Sequence, residues 1–139
     1  MTSRDQKELL LSTATEAVRA AGNELMSRFE SKLDVRWKTW QGERTVVTDA
    51  DLAADRAIRD VLAKRVPDHL IFSEEYPHGT VDGPDVWVVD PLDGTDNYSR
   101  GQPQFCVSVV HTVGTKPDVA AIFDPIRDEL FTVVRDGDA

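Results

Sequence analysis

The chain has 139 residues, enough for one domain with a buried core, and its 40% hydrophobic and 29% charged residues are typical of a globular protein. Its net charge of −9, from 25 acidic and 16 basic residues, argues against binding to nucleic acid or anionic membranes, and no apolar run is long enough to span a bilayer. The single cysteine excludes an internal disulfide framework and the first residues lack an apolar leader, so we expect a cytoplasmic protein. If the substrate is anionic, a bound divalent cation would have to attract it.

Two amphipathic helices are predicted in the first half of the chain. Over residues 3–30, apolar residues recur every three or four positions and so share one helix face: Leu10, Ala14, Ala17, Ala21, Leu25 and Phe29. Gly22 is a tolerated weak point in this helix. Residues 31–44 are polar and are predicted to be extended or a loop, and a short β-branched piece follows. The second helix ends before Pro67 and buries Ala54, Ile58, Val61 and Leu62.

The second half of the chain changes to a strand pattern. Apolar runs that predict strands cover residues 70–72, 86–89, 105–113, 119–123 and 130–134. The sequence DPIRDE, at 124–129, predicts a hairpin turn between the last two. Two helices followed by a run of strands predict an α+β domain, with the helices packed on an antiparallel or mixed sheet.

Acidic residues end one of these strands, in the segment WVVDPLDGTDNY at residues 87–98. Asp90 lies at the carboxyl end of a predicted buried strand, and Asp93 follows a turn imposed by Pro91. Hard cations such as Mg²⁺ prefer carboxylate and carbonyl oxygens. Asp90 and Asp93, with the carbonyl group of Leu92 between them, are therefore candidate ligands for one or two ions.

The residues after these acids predict a helix start. Gly94 and Thr95 can open a short helix, and backbone N–H groups at a helix start can hold a phosphate. The alternative is that the segment is a plain turn and Asp90 an ordinary cap, since Asp-Gly turns are common.

Two other acidic segments are candidates for the same site. FSEEY contributes Glu74 and Glu75 directly after a short apolar run, and one of them could reach the metal from a neighbouring strand, although a Glu-Glu pair is more often a solvated loop. VTDAD holds Thr48 and Asp51 at the spacing of a capping box, which predicts the start of the second helix. Asp51 could also point at the cations, and the two roles are compatible.

Zinc chemistry is not expected. His69, His78 and His111 are scattered without the close spacing of a zinc motif, and Cys106 lies in a predicted strand as a core residue.

In their order along the chain, the segments VTDADLAAD, IFSEEY, WVVDPLDGTDNY, QFCVSVV and AAIFDPIRDELF resemble the inositol monophosphatase-like family of Mg²⁺-dependent, lithium-sensitive phosphatases. The resemblance covers nearly the whole chain from about Thr45 onward. It implies the N-terminal half of an αβαβα sandwich with a largely antiparallel sheet. It also implies Mg²⁺-dependent hydrolysis of a small phosphorylated metabolite, such as an inositol monophosphate, histidinol phosphate or a sugar phosphate.

The resemblance also assigns metal ligands. Glu74, Asp90 and the Leu92 carbonyl group would hold a first Mg²⁺, and Asp90 would bridge to a second ion that Asp93 also binds. Glu74 would reach a weaker third ion through water. Mn²⁺ could replace Mg²⁺, and Li⁺ would inhibit.

Catalytic and phosphate-binding roles follow from the same resemblance. Thr95 would hydrogen-bond the attacking water, with Asp51 supporting it from behind. Asp93, Gly94 and Thr95 would bind the substrate phosphate, the last two through their backbone N–H groups.

The chain also departs from the family pattern. Ser73 stands where many members have glycine, and this serine is closer to the 3′-phosphoadenosine nucleotide phosphatase branch. The segment TDNYSRG is instead closer to the inositol and histidinol branches. Members run about twice as far, so we expect residues 1–139 to be the N-terminal catalytic half, with the C-terminal half absent. The alternative is a catalytically incomplete metal-binding or interaction domain. Apolar sheet surface left uncovered around CVSVV and VAAIF predicts a homodimer or other self-association.

Overall fold

The computed structural model describes residues 3–29, 35–40, 43–73 and 82–137. The elements in chain order are α1 (Ser3–Arg28), β1 (Val35–Trp40), β2 (Glu43–Thr48), α2 (Asp49–Arg65), β3 (Leu70–Ser73), β4 (Val86–Asp93), α3 (Thr95–Ser99), β5 (Cys106–Val113), β6 (Lys116–Asp124) and β7 (Glu129–Val134). Within these ranges, no helix combines the length and the apolar character needed to cross a membrane.

Five strands form the main sheet, in the order β3-β4-β5-β6-β7. Strand β3 runs parallel to β4, and the other neighbouring pairs are antiparallel. Helix α1 packs against β5, β6 and β7, and α2 packs against α1 and β4. The α+β prediction of two helices on a largely antiparallel sheet is confirmed.

Strands β1 and β2 form a separate two-stranded antiparallel sheet, with Trp37 opposite Val46. The sequence predicts only an extended segment or loop over the part that becomes β1. A polar strand of this kind has a weak local signal, because its backbone hydrogen bonds come from the strand that follows it.

Helix α1 buries the face that the sequence predicts. Its fully buried side chains include Leu10, Ala14, Ala17, Ala21 and Leu25. Gly22 is more than a tolerated weak point, because a Cβ atom there would lie 2.5 Å from a ring carbon of Phe123. Its missing side chain therefore lets α1 approach strand β6 closely.

Helix α2 also matches its prediction. The four residues expected to face inward are buried: Ala54, Ile58, Val61 and Leu62. The helix ends at Arg65, and the N–H group of Val66 donates to the Leu62 carbonyl oxygen at 2.8 Å, so Pro67 lies just beyond the end.

Strand β4 is longer than predicted. The sequence predicts a turn after Asp90, but the strand continues to Asp93. Asp90 pairs with Ser108 and Asp93 pairs with Cys106, and the register shifts between these two pairs. Pro91 lies inside this β-bulge, where its missing N–H group interrupts the ladder without ending the strand.

The hairpin predicted over residues 124–129 is confirmed, since Asp124 pairs with Glu129 across β6 and β7. One carboxylate oxygen of Asp124 accepts hydrogen bonds from the backbone N–H groups of Ile126 at 3.0 Å and Arg127 at 3.1 Å. This side-chain turn is the reason that aspartate favours the position.

The two faces of the main sheet differ in cover. Helices α1 and α2 cover one face, which includes the buried residues Val107, Val109, Val119, Ala121 and Phe123. The other face, called here the outer face, exposes Ile122, Phe131 and Val133 by 44%, 57% and 45%. Uncovered apolar surface is expected around CVSVV and VAAIF; Ile122 lies in VAAIF, whereas Phe131 and Val133 lie on β7, outside both segments. Cys106, expected in the core, is only partly buried.

Candidate active site

Asp51 lies in the first turn of α2 and is completely buried. Its Oδ2 atom accepts hydrogen bonds from the backbone N–H group of Thr48 at 2.9 Å and from the Thr48 hydroxyl group at 2.6 Å. The backbone N–H group of Asp51 donates to the Thr48 hydroxyl oxygen at 3.3 Å. This is the capping box that the spacing predicts, and it uses only one of the two carboxylate oxygens in these contacts.

The second carboxylate oxygen of Asp51 contacts Thr95. The Thr95 hydroxyl group lies 2.9 Å from Asp51 Oδ1 and 3.2 Å from the Leu92 carbonyl oxygen. Both neighbours are acceptors, so the single hydroxyl proton is directed towards them. The lone pairs of the Thr95 oxygen then remain able to accept a hydrogen bond from a water molecule. The structure therefore brings Asp51, Thr95 and the Leu92 carbonyl group together across 44 residues of chain.

The loop between β4 and α3 depends on a glycine. Gly94 has φ of 93°, and a Cβ atom on it would lie 2.8 Å from the Gln104 carbonyl oxygen. Its own carbonyl oxygen accepts the N–H group of Tyr98 at 2.9 Å. A side chain at position 94 would be strained in backbone and in space, so this tight entry to α3 requires glycine.

Aromatic side chains fix the short helix α3 to α1. The Tyr98 hydroxyl group donates to the Leu25 carbonyl oxygen at 2.6 Å, and the Tyr98 ring packs 5.4 Å from that of Phe29 and 4.9 Å from that of Phe105. The pKa of Tyr98 is raised to about 12, mainly by burial, with Arg28 opposing the rise and the nearby Asp49 and Asp51 adding to it. The Thr95 loop therefore rests on a rigid base.

The acids of the β4 bulge lie near one thiol group. Asp93 Oδ2 is 3.9 Å from the sulfur atom of Cys106. The pKa of Cys106 is raised to about 11, mainly by burial, and the negative charges of Asp93, Asp90 and Asp124 act in the same direction.

The candidate metal ligands in this region offer only oxygen atoms. They are the carboxylates of Asp90 and Asp93 and the carbonyl group of Leu92, which lies beside the Thr95 hydroxyl group. This hard donor set fits Mg²⁺ or Mn²⁺. The remaining predicted ligand, Glu74, and its neighbour Glu75 lie outside the described residues.

A second cluster of ionisable side chains lies at the opposite end of β4. Atoms of His69, Asp85 and His111 that could bind a metal lie within 4.8 Å of one another. The sequence analysis does not predict this cluster, because His69 and His111 are 42 positions apart in the chain and give no local signal for a shared site. The third histidine, His78, lies outside the described residues.

Hydrogen bonding in this second cluster indicates which nitrogen of His69 carries the proton and whether a metal could bind there. The Trp87 indole N–H group donates to His69 Nδ1 at 3.0 Å, so that lone pair is used and the ring proton of neutral His69 is on Nε2. His69 Nε2 faces one Asp85 oxygen at 3.8 Å, and His111 Nε2 contacts the other at 2.9 Å. A metal at His69 Nε2 would need the lone pair that the proton occupies. The arrangement therefore suits a His-Asp-His bridge, with a hydrogen bond between His111 and Asp85 and a longer charge contact from Asp85 to His69, better than a metal centre.

A family model described as the inositol monophosphatase family matches residues 6–139. "Nus factor SuhB" of Pasteurella multocida is 41% identical over 129 residues, covering 91% of this chain and 47% of that protein. "Inositol-1-monophosphatase" of a Synechocystis species is 40% identical over 122 residues, covering 87% of this chain and 42% of that protein.

Solved structures agree with the family match. The extragenic suppressor protein suhB from Bartonella henselae superposes with a TM-score of 0.81 at 32% identity, covering 91% of this chain and 49% of that one. The inositol monophosphatase from Anabaena gives a TM-score of 0.75 at 33% identity, covering 92% and 44%. The chain thus spans about half the length of the relatives it matches.

Proposed function

The chain belongs to the inositol monophosphatase family, and on that premise we propose that residues 1–139 form the N-terminal catalytic half of a Mg²⁺-dependent phosphatase for small phosphate monoesters. The observation that carries the proposal is the pair of contacts made by the Thr95 hydroxyl group, to Asp51 Oδ1 and to the Leu92 carbonyl oxygen. These contacts support the proposal because a hydroxyl group that can orient water lies beside the carbonyl group of Leu92, a candidate metal ligand.

The proposed metal ligands are Asp90, Asp93 and the Leu92 carbonyl group, with Glu74 as a further ligand. Bound Mg²⁺ would lower the pKa of a water molecule and stabilise charge on the leaving oxygen. Without cations, the acids and the overall charge of −9 would repel a phosphate.

Thr95 and Asp51 would act on the attacking water. Because Asp51 accepts the proton of the Thr95 hydroxyl group, the Thr95 oxygen is left to accept a hydrogen bond from water. The water is thereby held in one orientation, and the buried Asp51 favours proton movement away from it.

The substrate phosphate would bind at the loop before α3. The backbone N–H groups of Gly94 and Thr95 would donate to it, while Asp93 would contact it through a shared cation. We propose inositol monophosphate, histidinol phosphate or a sugar phosphate as the substrate class. The alternative substrate is a 3′-phosphoadenosine nucleotide, because Ser73 resembles that branch of the family.

Phosphate release by the purified 139-residue chain tests this proposal. We expect slow, Mg²⁺-dependent release from one of these ester classes, because the other half of the relatives' length is not in this chain. Asp90→Asn and Thr95→Ala should reduce release by about 100-fold or to background. Asp60→Asn removes the same charge from an exposed position of α2 and should keep the original rate. Equal release by Asp90→Asn and the original chain would contradict the proposal.

An interaction role is a second candidate, because several relatives carry the name "Nus factor SuhB" instead of an enzyme name. In that case the chain would keep its acidic site but act mainly through a protein surface. The outer face is the candidate surface, since three large apolar side chains are exposed there. The expectation that nucleic acid is not a partner stays a prediction from net charge. Measured Mg²⁺-dependent turnover would favour the enzyme over this candidate.

A further inference from the structure

Helix α2 carries a second buried carboxylate one turn after Asp51. Asp55 is 1% exposed, and the i to i+4 spacing puts it on the same helix face as Asp51. A buried carboxylate is costly unless hydrogen-bond donors surround it. The identity of those donors therefore indicates what Asp55 is for.

Two donors satisfy Asp55 in different ways. Arg59, one turn further along α2, donates from Nε to Asp55 Oδ2 at 2.7 Å. The Ser73 hydroxyl group donates to the other carboxylate oxygen, Oδ1, from strand β3. Ser73 is completely buried, so this bond joins α2 to β3 away from water. Charge-assisted hydrogen bonds of this kind are short and strong.

Ser73 lies at the end of a strand, next to the part of the sheet that carries proposed metal ligands. It is the last residue of β3 and pairs in parallel register with Val89 of β4. The next residue in the chain after Ser73 is Glu74, and the next after Val89 is Asp90. The bond from Asp55 thus ends at the residue before one proposed metal ligand, in register with the residue before another.

We propose that Asp55 is a positioning residue for the proposed metal site: through the Ser73 hydroxyl group it fixes the end of β3 in register with Val89, the residue before Asp90. This inference rests on the proposed function. Helix α2 would then hold both parts of the site from one face, with Asp51 bonded to Thr95 after β4 and Asp55 bonded to Ser73 at the end of β3. Residues that orient metal ligands in this way typically change metal affinity 10- to 100-fold when mutated.

Titration of the 139-residue chain with Mn²⁺, followed by the electron paramagnetic resonance signal of free Mn²⁺, tests the inference. We expect Ser73→Ala to raise the dissociation constant about tenfold, since it removes only the hydroxyl group. Asp55→Asn should have a similar effect. The double variant should bind no more weakly than either single variant, because both remove the same bond. Asp60→Asn, an equal charge change on the exposed side of α2, should bind Mn²⁺ as the original chain does.

The outcomes separate this inference from the proposed function. Circular dichroism at the temperature of the titration establishes that each variant is folded, and if Asp55→Asn is not, Ser73→Ala alone decides. A folded Ser73→Ala chain with unchanged Mn²⁺ affinity, when Asp90→Asn loses binding, overturns the positioning role and leaves the proposed function intact. Unchanged affinity in Asp90→Asn overturns both. A purely structural bond would lower the melting temperature without changing the affinity of the folded chain.

Discussion

At the scale of single residues, Asp51 combines two contacts on one carboxylate. Oδ2 completes the capping box of α2 with Thr48, and Oδ1 accepts the hydroxyl proton of Thr95. The sequence is compatible with two roles for Asp51, as a helix cap and as a residue of the candidate site. In the structure the two contacts use different carboxylate oxygens. Because the cap immobilises the carboxylate, the oxygen that faces Thr95 needs no further ordering.

Substitutions at Thr48 and Asp51 should separate the two contacts. Thr48→Ala removes the capping hydroxyl group and should lower the free energy of unfolding by about 1 kcal/mol. Asp51→Asn should lower Mg²⁺-dependent phosphate release at least tenfold at temperatures where circular dichroism finds the chain folded. Urea unfolding and the release assay measure the two effects. If Asp51→Asn loses stability alone, with its rate per folded molecule retained, Asp51 is only a cap.

At the scale of elements, the irregular end of β4 carries residues of the candidate site. The bulge between Asp90 and Asp93 and the left-handed Gly94 bring the chain from the strand into α3 within a few residues. Bulges often re-aim side chains beside functional sites. Gly94 packs closely on Gln104 and Phe105, so the loop at this glycine has little room for a change in conformation.

Gly94→Ala should be more destabilising than Gly114→Ala. Both glycines have positive φ, 93° and 62°, so both substitutions add backbone strain of about 1 kcal/mol or more. Only at Gly94 would the new Cβ atom also meet a backbone carbonyl oxygen at 2.8 Å, whereas nothing lies within 4 Å at Gly114. We expect an additional loss of roughly 1–3 kcal/mol at Gly94, measured by urea unfolding. Equal losses would show that the loop moves to accommodate a methyl group.

The His-Asp-His bridge should make stability depend on pH. Burial lowers the pKa of His69, with His111 acting in the same direction and Asp85 and Asp68 opposing it. Because the unfolded chain binds the proton more readily, His69 contributes stability above its unfolded pKa of about 6.5. That stability is lost as pH falls from about 6.5 through the lower folded pKa.

His69→Asn removes this titration but keeps an acceptor for the Trp87 N–H group. Below about pH 6.5, the free energy of unfolding of the original chain should fall more steeply than that of the variant, by at most about 1.4 kcal/mol per pH unit for one proton. Urea unfolding at several pH values between 5 and 8, a range of about three units around the reference pKa, measures the difference. Parallel curves would mean that His69 has the same pKa in both states.

At the scale of the whole molecule, the described helices α1 and α2 pack on one side of the main sheet. On the outer face Ile122 pairs with Phe131, and Ala120 pairs with Val133, so the exposed apolar side chains are adjacent across β6 and β7. Within the described residues, strand β7 is also an edge of the main sheet, and edge strands offer backbone groups for pairing. Apolar surface next to an open edge favours association.

We therefore expect the purified 139-residue chain to form dimers or larger species through the outer face. Phe131→Lys should raise the dissociation constant at least tenfold, because burial of such a side chain contributes about 1.5–3 kcal/mol. Met26→Lys is the matched control, since Met26 is 40% exposed but lies on α1. Sedimentation velocity over a range of concentrations measures both. A chain that stays monomeric throughout would remove this expectation.

Much of the element pattern follows from local sequence. The face of α1, the end of α2 before Pro67 and the hairpin over residues 124–129 each depend on spacings of a few residues. The Thr48–Asp51 capping box is equally local. The acids of WVVDPLDGTDNY are recognisable for the same reason, because their order and spacing lie within twelve residues.

The sequence by itself therefore determined the type of α1, α2 and the strands of the main sheet, the family and the chemical character of the acidic segment. Tertiary structure alone decided which of these groups meet: Thr95 with Asp51, Ser73 with Asp55, and His69 with His111 through Asp85. It also decided that β4 continues through a bulge and that Gly22 admits Phe123. Local patterns reflect propensity and periodicity, whereas these contacts join residues 13 to 101 positions apart, whose proximity is set by the packing of helices and strands in the fold.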